Sequence, residues 1–329
     1  MPKLSDSLVI RGKQIKNRIV MPPMVCFSFQ GDHGWVYGQQ YVDHYAKRAQ
    51  GGAGLIIVQS TPVGGAMEKL GVWSDEQRGA LDAIAGNCHR CGAVAMIQLS
   101  CGNVDINRLT VEQIHRMQAD CVAAAEVAKQ AGFDGVEYHF AHGFTLCKFF
   151  DPGFNKRTDN YGGSLSNRVR MITEMLPQIR DLTGQDFIAG VRMGGNIPDI
   201  AGAADVAGAL EKAGIDLLHI SFGMTMPINA VPDGFNGSAI TYNGSQVKKE
   251  VNVPVIGVYE IDPGRAKFLI ENGYLDLVAV GRGMLADENW ANKVLAGEAV
   301  NECRRCGDNT RGCHWFDDHT QCPARELSD

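Results

Sequence analysis

The residues best suited to chemistry in this chain are His139 and His142, three apart in "YHFAHGF" and directly behind the apolar run "GFDGVEY". Two imidazoles at the exit of a buried segment offer two N–H donors to one oxygen atom, whereas a lone histidine there is more often a satisfied core residue. Phe144, close behind them, has no proton to give. Gln98 in "MIQL" and Arg192 in "GVRM" also stand where a packed interior would carry Val, Ile or Leu. An amide donates and accepts at once, and a fixed cation stabilises an anion. Further along, Gly257 in "IGVYE" and Gly281 beside Arg282 in "AVGRGML" bring backbone N–H groups and a guanidinium together, a combination suited to a phosphate dianion. Four of the ten cysteines, Cys303, Cys306, Cys313 and Cys322, crowd "CRRCGDNTRGCHWFDDHTQC". Four thiolates in so short a span suit an iron–sulfur cluster or a Zn²⁺ ion, and a third reading is that they bind nothing.

These groups need elements to position them. Eight short apolar runs bounded by turn residues read as parallel strands buried on both faces: 18–21, 54–59, 93–99, 134–139, 186–192, 216–221, 253–258 and 276–281. Amphipathic stretches such as "VEQIHRMQADCVAAAEVAKQAG" alternate with them. Several end in Gly, as in "AGF", "AGI" and "NGY", which marks a left-handed helix stop. Eight strand–helix units predict an α/β fold, a closed (β/α)8 TIM barrel over residues 1–298, followed by a short Cys-rich extension over 299–329. The rival, an open doubly wound sheet, requires an early G-x-G-x-x-G, and residues 1–60 have none. In a barrel the reactive groups lie at the C-terminal strand ends, where His139, His142, Gln98, Arg192, Ser221, Gly257 and Gly281 all fall.

Composition narrows the classes. In 329 residues with a net charge of −6, Lys and Arg are scattered, which argues against a nucleic-acid surface. No apolar run approaches the roughly 20 residues of a membrane helix, and no cleavable leader pattern opens the chain, so a cytoplasmic protein with no membrane partner is expected. In that compartment the cysteines are reduced thiols or metal ligands rather than a disulfide framework. Gln98 and Arg192 together suit a flavin, whose reduced ring carries negative charge near N1 and O2.

The stretches "KNRIVMPPM", "GLIIVQS", "LGVWSDEQ", "GFDGVEYHFAHGF", "NKRTDNYGGSLSNRVR" and "VAVGRGMLADENW" resemble, in order and over residues 8–296, the old yellow enzyme family of FMN-dependent ene-reductases. That resemblance implies FMN, with Pro23 and Met24 beside the ring and Ser60 near its O4/N5 edge. It places Gln98 at the pyrimidine edge, Arg192 at N1 and O2, and Gly257, Gly281 and Arg282 at the phosphate. It also implies that His139 and His142 bind the carbonyl oxygen of a substrate while hydride reaches its β-carbon.

Four departures from the family pattern matter. Phe144 stands where many members carry a proton-donating Tyr, leaving Cys147, Tyr37 and Asp151 as unranked candidates. Val25 replaces a Thr or Cys near O4, with Cys26 one position out of register. The segment from Leu99 to Val111 is short, while that after the run at 216–221 is long, so an open mouth and a bulky substrate are expected: a linear tetrapyrrole such as bilirubin, a steroid enone, or a dienoyl or enoyl compound. The cysteine tail is similar to that of the 2,4-dienoyl-CoA reductase-like, bilirubin reductase-like and trimethylamine dehydrogenase-like members that hold a [4Fe–4S] cluster, with Asn309 in place of the third ligand. Electrons would come from NAD(P)H or, with a cluster, from a flavodoxin-like or ferredoxin-like partner. Oxidative amine chemistry and a flavin electron-transfer subunit are the rival activities, and self-association stays open.

Overall fold

The computed structural model describes residues 1–29, 37–64, 75–307 and 313–325. A hairpin, β1 (Leu8–Ile10) and β2 (Lys13–Ile15), precedes eight parallel strands that close on themselves. These are β3 (Ile19–Met21), β4 (Leu55–Pro62), β5 (Val94–Ser100), β6 (Gly135–Phe140), β7 (Ile188–Gly194), β8 (Leu217–Ser221), β9 (Val255–Val258) and β10 (Leu277–Ala279), with β10 pairing back onto β3. Each overlaps one of the eight apolar runs. The hairpin was not expected from sequence, because two three-residue strands are too short for alternation to register.

The helix stops fall where the sequence places them. Gly132, Gly214 and Gly273, in the three "G" turns before β6, β8 and β10, adopt φ of 80°, 99° and 71°, a left-handed region open to Gly without a Cβ clash. The helix Val111–Gln130 opens on a capping box between Thr110 and Gln113, and those at 200–213 and 263–271 open on Asp199 and Asp262. Among the described residues no helix is long and apolar enough to cross a membrane.

The tail beyond residue 298 is not a separate body. Trp315 and Phe316 belong to the same hydrophobic cluster as the barrel and its helices, and their rings meet Phe29 and Phe27 at 5.9 and 6.1 Å. Asn309 lies outside the described residues, as does most of "LGVWSDEQ".

Candidate active site

Parallel register puts the polar interior residues in rows. Ser60 pairs with Gln98, Gln98 with Glu137, His139 with Arg192, and Arg192 with His219. A register shift between Val58 and Ser60 brings Ser60 level with Gln98. The Gln59 side chain instead accepts from the Cys26 N–H at 2.8 Å, and the Gln59 backbone N–H donates to the Tyr45 hydroxyl oxygen at 2.9 Å. Cys26 is therefore turned into the core, and burial pushes its thiol up to about 12.

Two hydrogen-bonded chains cross this layer. In the first, Glu137, as a carboxylate, accepts from Gln98 Nε2 at 2.7 Å and from His219 Nδ1 at 2.9 Å. The Gln98 oxygen is thereby left as an acceptor, and the His219 Nε2 is buried without a partner. In the second, Arg192 can only donate, so it gives Nη2–H to Ser221 Oγ across a long 3.4 Å. The Ser221 hydroxyl lies 2.7 Å from His142 Nε2, and His142 Nδ1 lies 2.9 Å from His139 Nε2. With Arg192 donating at one end, the Ser221 proton goes to His142 Nε2, the His142 Nδ1–H to His139 Nε2, and His139 keeps its proton on Nδ1. That nitrogen is buried and unpartnered.

This differs from the sequence expectation in one respect. The two imidazoles do not aim two free N–H groups at one point; they bond to each other, and both nitrogens of His142 are engaged. The cause is tertiary: His142 takes φ of 62°, its N–H donates to Phe222 O at 3.1 Å, and this folds its ring back toward β8. Burial, reinforced by Arg192, pushes His139 down to about 3 and His142 well below the usual imidazole range, so both are neutral at pH 7. Burial likewise lowers Arg192, to about 10, so it stays charged.

Other expected residues fall into place unevenly. A Cβ on Gly281 would meet Met24 Sδ at 3.1 Å and Pro22 at 3.6 Å, so the exits of β3 and β10 touch. A Cβ on Gly257 would lie 2.1 Å from Leu275, which makes packing sufficient reason for that glycine. Just beyond it, Tyr259 and Glu260 are both left-handed, at φ of 96° and 54°. Arg282 opens the short helix Arg282–Ala286 and lines a recess of about 10 Å³ shared with Cys303, Cys306, Cys313 and Cys322. Among the described residues, no group of three or more His, Cys, Asp or Glu is gathered tightly enough to hold a metal ion.

The proton-donor candidates are poorly placed for that role. Tyr37 is buried against Thr61 Oγ1 at 2.7 Å, with its hydroxyl pushed far up by burial. Burial holds the Cys147 thiol at about 12, and Asp151 caps the N–H groups of Gly153 and Phe154 at 2.6 and 3.1 Å. The ring of Phe144 lies 5.1 Å from that of His139, and Phe222 lies 4.4 Å from His142, so aromatic walls flank the pair.

The stretch "NKRTDNYGGS" buttresses this arrangement. Asn155 Nδ2 donates to Phe149 O and Tyr161 O at 3.0 and 2.8 Å, and Arg157 reaches Leu109 O at 2.7 Å. Sequence reasoning missed Glu137 and His219; the available signal was a charged or ionisable side chain inside each of the apolar runs "GVEYH" and "LLHIS".

The sequence of the NADH:flavin oxidoreductase / NADH oxidase family matches residues 4–108 and 101–301. The chain belongs to that family. It is 33% identical to a Thermoanaerobacter brockii NADH oxidase, over 95% of this chain and 53% of the relative, and so spans about half of that protein's length. It is also 33% identical to a Halalkalibacterium halodurans NADPH dehydrogenase, over 88% of this chain and 92% of the relative. Morphinone reductase shares the fold at a TM-score of 0.77 and 23% identity, over 98% of this chain and 96% of that one. A 2-naphthoyl-CoA reductase does so at 0.78 and 21%, over 90% of this chain and 52% of that one. Family membership makes the chain an old yellow enzyme-like oxidoreductase, with FMN and NADH or NADPH as the implied cofactors.

Proposed function

We propose that this chain is an ene-reductase, with FMN held across the C-terminal end of the barrel. Pro23, Met24, Ser60, Gln98 and Arg192 would face its ring, and Gly257, Gly281 and Arg282 its phosphate. The observation that carries this reading is a set of buried polar atoms with no protein partner on three adjacent strands: His139 Nδ1, Arg192 Nε and His219 Nε2. Buried polar groups are normally satisfied, so orphans gathered at one end of a barrel argue for a ligand there. Arg192 fits the anionic edge of a flavin, and the Gln98 oxygen, freed by Glu137, fits an N–H of its pyrimidine edge. When bound, FMN supplies the hydride. His139, neutral and carrying its proton on the free nitrogen, donates to the carbonyl oxygen on which charge develops, and His142 holds that proton in place.

The substrate is a bulky conjugated compound: a tetrapyrrole such as bilirubin, a steroid enone, or a dienoyl or enoyl compound. Phe144 and Phe222 offer flat apolar walls, and Met226 and Ile228 are exposed on the segment after β8. With no protein acid at Phe144, water supplies the second proton. The test is transfer of deuterium from labelled NADH or NADPH to the β-carbon of a steroid enone, with His139→Ala lowering turnover about 10²–10³-fold. Label appearing only in water or peroxide, or full turnover by His139→Ala, would overturn the reading in favour of an electron-transfer role or amine oxidation.

The cysteine tail supports a second reading, a [4Fe–4S] cluster. A single zinc ion bound at about 2.3 Å draws its sulfurs close together. Here the four cysteines line one recess with Arg282, and among the described residues no three of them are gathered tightly enough to hold an ion without rearrangement. Such a cluster would take electrons from a flavodoxin-like or ferredoxin-like donor, and without it NAD(P)H reduces FMN directly. Iron and acid-labile sulfide at about four each per chain would support the cluster; stoichiometric zinc or no metal would remove it.

A further inference from the structure

Two cysteines that the sequence leaves far apart meet in the fold. Cys101, just past the end of β5, and Cys121, on the helix Val111–Gln130, bring their sulfurs to 3.4 Å with no bond between them. Cys101 is partly exposed, whereas Cys121 is fully buried under the Tyr138 hydroxyl, which donates to the Cys121 carbonyl at 3.2 Å. The hydrogen bond to Cys101, together with burial, holds the Cys121 thiol well above its ordinary range, so Cys121 keeps its proton and Cys101 is the accessible sulfur.

We propose that Cys101 and Cys121 form a peroxide-responsive dithiol at the mouth of the barrel. The Cys101 sulfur attacks an oxygen of hydrogen peroxide, the O–O bond breaks, and a sulfenic acid and one water result. The Cys121 thiol then attacks the Cys101 sulfur; the S–O bond breaks, and the Cys121 proton leaves with the displaced hydroxyl as a second water. In balance, two thiols and one peroxide give one disulfide and two waters. The sulfurs have only to close from 3.4 Å to about 2.05 Å, a shift within the reach of side-chain rotation.

The pair sits where such a shift is felt. The Cys101 and Gly102 carbonyls accept from Thr145 Oγ1 at 3.2 and 3.0 Å, and the Gly102 carbonyl also accepts from the Thr145 N–H at 3.1 Å. Lys148 reaches Asn103 Oδ1 and Val104 O at 2.5 and 2.8 Å. Residues 101–104 are thus tied to the helix Thr145–Phe150, which follows His142 and Phe144 directly. Closing the bond pulls on the segment that sets the Phe144 wall.

The test is to treat the purified, cofactor-loaded protein with hydrogen peroxide, alkylate the remaining thiols and sequence the peptides by mass spectrometry. The expected result is a cross-linked pair of peptides carrying Cys101 and Cys121, lighter by two hydrogens and restored by dithiothreitol. In Cys101→Ser the link is absent and Cys121 stays reduced. Turnover with NADPH as reductant should fall by up to about 10²-fold in the linked protein and recover on reduction, as expected for a displacement near 1 Å at a reactive site. Oxygen addition to Cys101 without a link, or equal alkylation of both thiols after peroxide, would overturn the proposal. A linked protein of unchanged turnover would overturn its coupling to the mouth. The peptide readout does not depend on which substrate the barrel reduces.

Discussion

The two halves of the barrel interior, built from the same strands, have opposite characters. Near the strand N-termini the space is filled by Val20, Leu55, Met96, Ile188, Leu217 and Ile256, closed from below by Ile10 and Ile15 of the hairpin. Above that layer, β5, β7 and β8, together with β6, turn in Gln98, Glu137, His139, Arg192, His219 and Ser221, all buried. The lower layer leaves no polar group to satisfy and secures the closure. The upper layer keeps a cation, a carboxylate and two imidazoles in place through fixed strands while leaving some of their nitrogens unpartnered. Rigidity below is what allows unsatisfied polarity above, because such groups hold their positions only when their surroundings have few other ways to pack.

That contrast is breakable. Ile256→Asp puts an unpaired charge into the lower layer and is expected to abolish soluble folded protein, as read by expression and circular dichroism. Arg192→Met removes a charge from the upper layer; the fold should persist with near-normal melting, while retained flavin falls and turnover drops about 10²–10³-fold. If Arg192→Met unfolds the protein as Ile256→Asp does, the division of labour is wrong. A smaller effect comes from acid. His139 has its folded pKa depressed to about 3 against an ordinary 6.5, so its contribution is present above pH 6.5 and is lost as pH falls toward 3. Urea unfolding at pH 5 should therefore show about 2 kcal/mol less stability than at pH 7 from this group, with His142 adding in the same direction. The smallest change expected is Ser221→Ala, which cuts the link between Arg192 and His142. It should cost about 1 kcal/mol in transition-state binding. In long-range ¹H–¹⁵N spectra it should release the His142 proton from Nδ1, and an unchanged tautomer would show that Ser221 does not set the polarity of the chain.

Much of the fold was legible because its signals are local. Apolar runs of strand length, amphipathic stretches between them and Gly at helix stops report on nearest neighbours, and eight such runs leave few topologies open. The site was legible in part. His139, His142, Gln98 and Arg192 stood out as polar residues at strand exits, whereas Glu137 and His219, inside strands, had no exit position to flag them. The hairpin escaped because its strands are too short for periodicity.

The sequence by itself determined the barrel, the family and the chemical types available at the mouth, since each depends on composition and spacing along the chain. Only the tertiary structure decided which atoms face one another. It set the direction of the chain from Arg192 through Ser221 and His142 to His139, the orientation that Glu137 imposes on Gln98, the gathering of four tail cysteines around one recess, and the contact of Cys101 with Cys121. Hydrogen bonds and thiol contacts depend on ångström-scale distances between residues many positions apart, and those distances exist only once the strands have closed.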